Sequence, residues 1–143
     1  MDIKKLREEI AGDEGKVLKS YLCSENKLTA GIGHLLPQGS MPVGTEITEQ
    51  QCNDWFDEDI KTVLEDVSIV FTTFDEQPEQ VQRCLANMCF QLGRTKLMKF
   101  KRLRQAIEDK DYEEAAVQMQ DSRWYAQTTN RAQRLINRVR QQA

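Results

Sequence analysis

The chain has 143 residues, 39% of them apolar and 30% charged, with a formal net charge of −3. That length suits one domain with a core of its own, and the balance excludes long disorder. The first fifteen residues hold no apolar run, and VSIVF at 67–71 is far short of a bilayer's thickness, so neither a secretory signal nor a membrane span is expected.

Charge is spread unevenly. Residues 1–91 carry 8 Lys and Arg against 17 Asp and Glu, whereas 92–143 carry 12 against 6. A basic half suits an anionic polymer, nucleic acid or cell wall, although solvated helix faces account for it equally well. No stacking-aromatic groove or readout motif accompanies it, so no nucleic-acid partner is expected. Cys23, Cys52, Cys84 and Cys89 include no C-x-x-C pair, and the only histidine is His34, so no metal site or cofactor is expected. Synthesis in the cytoplasm would leave the thiols free. Cys52, Cys84 and Cys89 fall at apolar helical positions and read as core; Cys23 does not.

In chain order, Ile3, Leu6 and Ile10 share a helix face, and Gly12 is a candidate end for that helix. KVLKSYLC and KLTAGIGHL flank Ser24-Glu25-Asn26 as the two strands of a small hairpin. Pro37, Gly39, Pro42 and Gly44 make 36–47 the loosest stretch. Thr48-Glu49-Gln50-Gln51 is a capping box, followed by Cys52, Trp55, Phe56, Ile60, Val63, Leu64 and Val67 at helical spacing. Pro78 opens another helix, whose stripe Val81, Cys84, Leu85, Met88, Cys89 and Leu92 ends at Gly93. Shorter helices are expected over 95–108, 111–120 and 130–142, with SRWYAQT joining the last two.

Between residues 13 and 34 lie the groups that can carry chemistry: Asp13-Glu14-Gly15, Thr29, and Gly31-Ile32-Gly33-His34. A carboxyl shielded at a helix–hairpin junction has a raised pKa and can donate a proton near neutrality. Glycoside cleavage needs such an acid on the leaving oxygen and a second group on the other face of the sugar. Taken alone, Asp-Glu-Gly reads better as a solvated helix-end carboxylate. GIGH lacks the third glycine of a phosphate loop and reads as a tight strand end. His34 reads as structural, paired with a carboxylate such as Asp59. Cys23 with His34 suggests a cysteine hydrolase, but no third orienting residue is evident.

Glu14, eight residues, Cys23, five residues, Thr29 resembles the Glu–Asp/Cys–Thr signature of phage-type lysozymes, of which the T-even phage endolysins are the best-known members. The likeness continues through TAGIGHLL at 29–36, RCLANMCFQLG at 83–93 and DYEEAAVQMQDSRWYAQTTNRAQRLI at 111–136, and so spans nearly the whole chain. It implies an α+β, predominantly helical, lysozyme-like two-lobe fold. A hairpin lobe at about 13–47 and a helical lobe at 75–143 would be joined by a long helix at 48–67, with 1–12 packing on the helical lobe. It implies a monomeric muramidase cutting the β-1,4 bond from N-acetylmuramic acid to N-acetylglucosamine in peptidoglycan during host lysis. A holin-type pore would give it passage from host cytoplasm to periplasm.

By the same resemblance Glu14 is the acid, Thr29 holds the attacking water, and Leu35, Phe90 and Gln91 line the saccharide cleft. Arg131 pairs with the catalytic Glu, and His34 with Asp59. Cys23 stands where the best-known members carry Asp. A thiol near its reference pKa of about 8.5 is a poor base at neutral pH, whereas a thiolate is a strong nucleophile suited to a covalent intermediate and retention. Leu103 and Gln118 replace small or amide residues at two saccharide contacts, which are not carried over. The competing readings are a lysozyme-fold module that binds peptidoglycan or a partner without cutting, and a lytic transglycosylase on the same substrate.

Overall fold

A computed structural model describes residues 1–143 as eight α-helices and a three-stranded antiparallel sheet. The chain divides into two compact units, Arg7–Thr62 and Val63–Ala143, the latter joined by Met1–Leu6.

In the smaller unit, α1 (Ile3–Glu14) runs past Gly12, the expected stop, and ends at Gly15. A glycine inside a helix costs only about 1 kcal/mol. Gly15 at φ 75 offers the left-handed turn that ends a helix, its N–H bonding to the Ala11 carbonyl at 2.9 Å. Leu6 and Ile10 are fully buried, while Ile3, in the first turn, stays exposed. Residues 7–12 group with the sheet segment rather than with the helical lobe. Within that unit the Arg7 guanidinium lies 4.7 Å from the Phe56 ring centroid and 2.7 Å from the Asp57 carboxylate on α2.

The expected two-strand hairpin is a three-strand sheet: β1 (Val17–Leu22), β2 (Leu28–Gly31) and β3 (His34–Leu35) in the order 1-2-3. GIGH is therefore a turn between two strands, not the end of one, because Gly31 (φ 68) and Gly33 (φ 62) reverse the chain in conformations that disfavour side chains. The 36–47 loop is tethered at both ends, first by the Leu36 N–H donating to the Leu28 carbonyl at 2.9 Å and Gln38 Nε2 to the Asn26 carbonyl at 3.3 Å. Ser20, buried on β1, exchanges backbone bonds with Gly44 and Thr45, and its hydroxyl bonds to the Pro42 carbonyl at 2.7 Å.

Helix α2 (Glu49–Val70) begins at the expected capping box, the Thr48 Oγ1 accepting from Gln51 N at 3.0 Å and Gln51 Oε1 from Thr48 N at 2.9 Å. It runs three residues beyond the expected end at 67.

In the larger unit, α3 (Glu79–Leu92) is buried all round from Val81 to Cys89. The expected apolar stripe is present, but Gln82, Arg83 and Asn87 are buried beside it. Each is satisfied: Gln82 donates to the Phe74 carbonyl at 2.9 Å, Arg83 pairs with Glu79 at 3.0 Å, and Asn87 accepts from Arg131. Gly93, at φ 79, closes the helix as expected.

The single helix expected at 95–108 is two, α4 (Arg94–Met98) and α5 (Lys101–Glu108). The break is stabilised by Arg104, which donates to the Val70 carbonyl at 3.1 Å and the Met98 carbonyl at 3.2 Å. One guanidinium thus satisfies terminal carbonyls of two helices. Helices α6 (Tyr112–Gln120) and α8 (Thr129–Arg140) pack on one another, and α8 also packs on α3. SRWYAQT contains a further short helix, α7 (Arg123–Gln127), capped by the Ser122 hydroxyl accepting from Tyr125 N. No helix is long and apolar enough to cross a membrane.

Candidate active site

The candidate residues fall in both units. Glu14, Cys23, Thr29, His34, Leu35 and Asp59 lie in Arg7–Thr62, and Phe90, Gln91 and Arg131 in Val63–Ala143.

Because α1 extends to Glu14, the carboxyl sits on its last residue, half-buried, rather than on a linker after it. It lies against the backbone of Gly33: a Cβ there would fall 2.9 Å from the Glu14 Cδ. The β2–β3 turn thus makes room for the acid.

Cys23 opens the β1–β2 turn. Its N–H bonds to the Lys27 carbonyl at 2.9 Å and its carbonyl accepts from Asn26 N at 2.8 Å, with Asn26 at φ 58. Thr29 is buried on β2 and donates to the Lys27 carbonyl at 2.9 Å. Burial pushes the Cys23 thiol up, but the backbone amides of Glu25 and Lys27 and the Thr29 hydroxyl together outweigh it, holding the thiol below its ordinary value against the charge of Glu25. The other three cysteines are buried and form no disulfide, and burial pushes the Cys89 thiol up to about 12. Cys23 is therefore the one cysteine that is not buried, and its thiol is held below the ordinary value.

Behind this group, His34 Nδ1 lies 2.7 Å from Asp59 Oδ2, and its ring stacks on Trp55 with centroids 4.7 Å apart. Burial raises the Asp59 carboxyl, with the His34 hydrogen bond opposing. This cluster fixes β3 to α2. Leu35, the next residue, is 56% exposed, a free apolar surface on the rim of the sheet.

In the larger unit, Phe90 and Gln91 are half-buried at the end of α3, and Gln91 Oε1 accepts from Trp124 Nε1 at 2.8 Å. Arg131 donates from Nε and Nη2 to Asn87 Oδ1 at 3.1 and 2.9 Å. Leu103 is buried in the core, and Gln118 bonds to Glu114 on its own helix. Four contributors were not singled out in the sequence: Tyr21, Trp55, Asn87 and Trp124. Tyr21 had a signal, since it stands two residues before Cys23 on a strand. Asn87 and Trp124 stood inside the quoted motifs. Trp55 read as an ordinary apolar helix position.

The family model described as phage lysozyme matches residues 11–142. Among curated proteins, the chain is 27% identical over 158 aligned positions to "Probable T4-type lysozyme 2" of Dictyostelium discoideum, covering 94% of this chain and 93% of that one. It is 30% identical to "Peptidoglycan hydrolase gp36" of Pseudomonas phage phiKMV, covering 96% of this chain but 15% of that protein. To the "Pre-baseplate central spike protein Gp5" of Enterobacteria phage T4 it is 31% identical, over 91% of this chain and 26% of the other. With an α+β fold, an acid at the end of α1, and a family match running from that helix to the end of α8, the chain belongs to the phage lysozyme family.

Proposed function

We propose that this chain is a peptidoglycan-lytic muramidase, hydrolysing the β-1,4 bond from N-acetylmuramic acid to N-acetylglucosamine and serving host cell lysis. One arrangement carries the reading: the small sheet sets Glu14 against Gly33 and Cys23 beside Thr29, in a chain of this family. Glu14 protonates the leaving oxygen. Cys23 and Thr29 serve the opposite face of the sugar, either holding water for attack or presenting the thiolate itself. Leu35, Phe90 and Gln91 contact the saccharide, and Arg131, held by Asn87, supports catalysis. Access to the wall from the host cytoplasm comes through a holin-type pore.

The test is clearing of chloroform-treated Gram-negative cells by purified protein, with Glu14→Gln as control. Clearing by the parent and none by the variant is expected. No clearing by the parent would favour a binding module instead. Mass spectrometry of the released muropeptides should find hydrated reducing ends; anhydro-sugars would mean a transglycosylase. The anomer of the first product, read by NMR, assigns Cys23: β means retention through a covalent intermediate, α means inversion by water.

A further inference from the structure

The mechanism above uses only Arg131 of the basic half. That half is densest at 94–104, where six of the residues are Lys or Arg and none is acidic. Helix α5 opens inside this run and borders a hollow of about 310 Å³ within the larger unit, whose opposite wall is 70–73 at the end of α2. Lys101, Arg104 and Glu108, spaced three and four apart, bring one stripe of α5 to the hollow. Lys101 and Glu108 are exposed and stand in no ion pair. Arg104 is half-buried and uses Nε and Nη1 on the Val70 and Met98 carbonyls, which leaves Nη2 for a ligand. Buried Val70, Phe71 and Ile107 supply the apolar lining. The order of charge does not serve the helix: a cation on the first residue of α5 and a carboxylate on the last both oppose its dipole.

We infer that this hollow docks the peptide stem of the wall, taking a terminal carboxylate at Lys101 and Arg104 and an ammonium at Glu108. The inference rests on reading peptidoglycan as the substrate. Seven helical residues set the two charged ends about 10 Å apart, a span that an extended peptide of about three residues covers. An uncross-linked stem carries both groups at that separation: a free ammonium on its diamino residue and a carboxylate on the alanine that ends it. Its alanine methyls suit the small apolar lining, and the volume is that of a small ligand site. The basic run draws the anionic polymer to this face, and docking adds a contact with its peptide to those with its sugar.

The probe is Nα-acetyl-L-lysyl-D-alanyl-D-alanine, titrated into the full-length protein and followed by amide NMR. Saturable shifts at 70–73 and 101–108 are expected, with a Kd on the order of 1 mM. Lys101→Ala and Glu108→Gln, both at exposed positions, should each weaken binding about fivefold. Capping the probe's carboxylate as an amide should cost the parent about the same factor and the Lys101→Ala protein little. No saturable shift in the hollow, equal affinity for the amidated probe, or the same shifts from inorganic phosphate alone would each overturn the inference. Docking needs no bond cleavage. A protein that clears cells but ignores the probe loses only this site, and one that binds the probe but clears nothing loses only the muramidase reading.

Discussion

Gly33 leaves no room for a side chain between itself and Glu14, since a Cβ at that position would fall on the carboxylate. Its φ of 62 is also one that other residues adopt at a cost of about 1–2 kcal/mol. Gly33→Ala should therefore lose that much stability and displace the acid, lowering lytic activity about 100-fold. Urea unfolding and cell clearing, measured together, separate the two effects. A variant destabilised but fully active would show that Glu14 need not occupy this position.

The thiol of Cys23 gives a pH signature. Its pKa is lowered by hydrogen bonds that favour the charged form, so thiolate accumulates as pH rises through that depressed value, and activity should rise with it. Cys23→Asp should retain lysis and shift the ascending limb to the carboxylate range, at about pH 4. Cys23→Ser should nearly abolish lysis. Thr29→Val removes one of the stabilising bonds and should move thiol alkylation by iodoacetamide to higher pH. Full activity in the Ser variant would take Cys23 out of the mechanism.

Asn87 is 1% exposed and accepts both bonds from Arg131. Asn87→Leu removes the buried acceptor of both bonds and should cost about 1–3 kcal/mol. Arg131 then loses both of these bonds, and activity should fall by more than the small unfolded fraction explains. Denaturation midpoints alongside initial clearing rates measure both. Equal activity per folded molecule would restrict Asn87 to packing.

Glu79 supports the larger unit in a pH-dependent way. The Asp2 backbone N–H first, then Arg83 and the N-terminal ammonium, hold its carboxyl below the ordinary value, with burial opposing. A carboxyl depressed on folding adds stability that is fully present above its unfolded pKa and lost as pH falls through the folded one. Glu79→Gln should lower Tm at neutral pH, with the gap closing in acid. A constant gap from pH 7 to strong acid would contradict the assignment.

What could be read from the sequence follows from how local each cause is. The capping box before α2 and the stripe on α3 are written in adjacent residues, and both helices form as expected. Gly12 misled because glycine is only a weak helix breaker, and the φ that ends α1 is adopted three residues later. GIGH was ambiguous because pairing of β3 depends on Thr29 and Ala30 finding Leu35 and His34, not on the run itself. The division of 94–108 comes from Arg104 reaching the end of α2, 34 residues away, which periodicity cannot reveal. The spacing of Glu14, Cys23 and Thr29 can be read directly off the chain. The support of Arg131 by Asn87, 44 residues apart, cannot.

The tether at Ser20, with Leu36 bonded to Leu28 and Gln38 to Asn26, leaves residues 39–41 as the tip of the 36–47 loop and 42–45 as its root. Thr45 and Pro42 are held through the Ser20 hydroxyl, and Gly44 through its backbone, whereas Gly39 bonds to no strand. Foreign peptide spliced in after Gly39 would project from the molecule and leave β1 undisturbed. The same cargo placed between Pro42 and Thr45 would pull on the strand that leads to Cys23. The tip is thus the natural port for a wall-binding tag or a reporter, and the root is not.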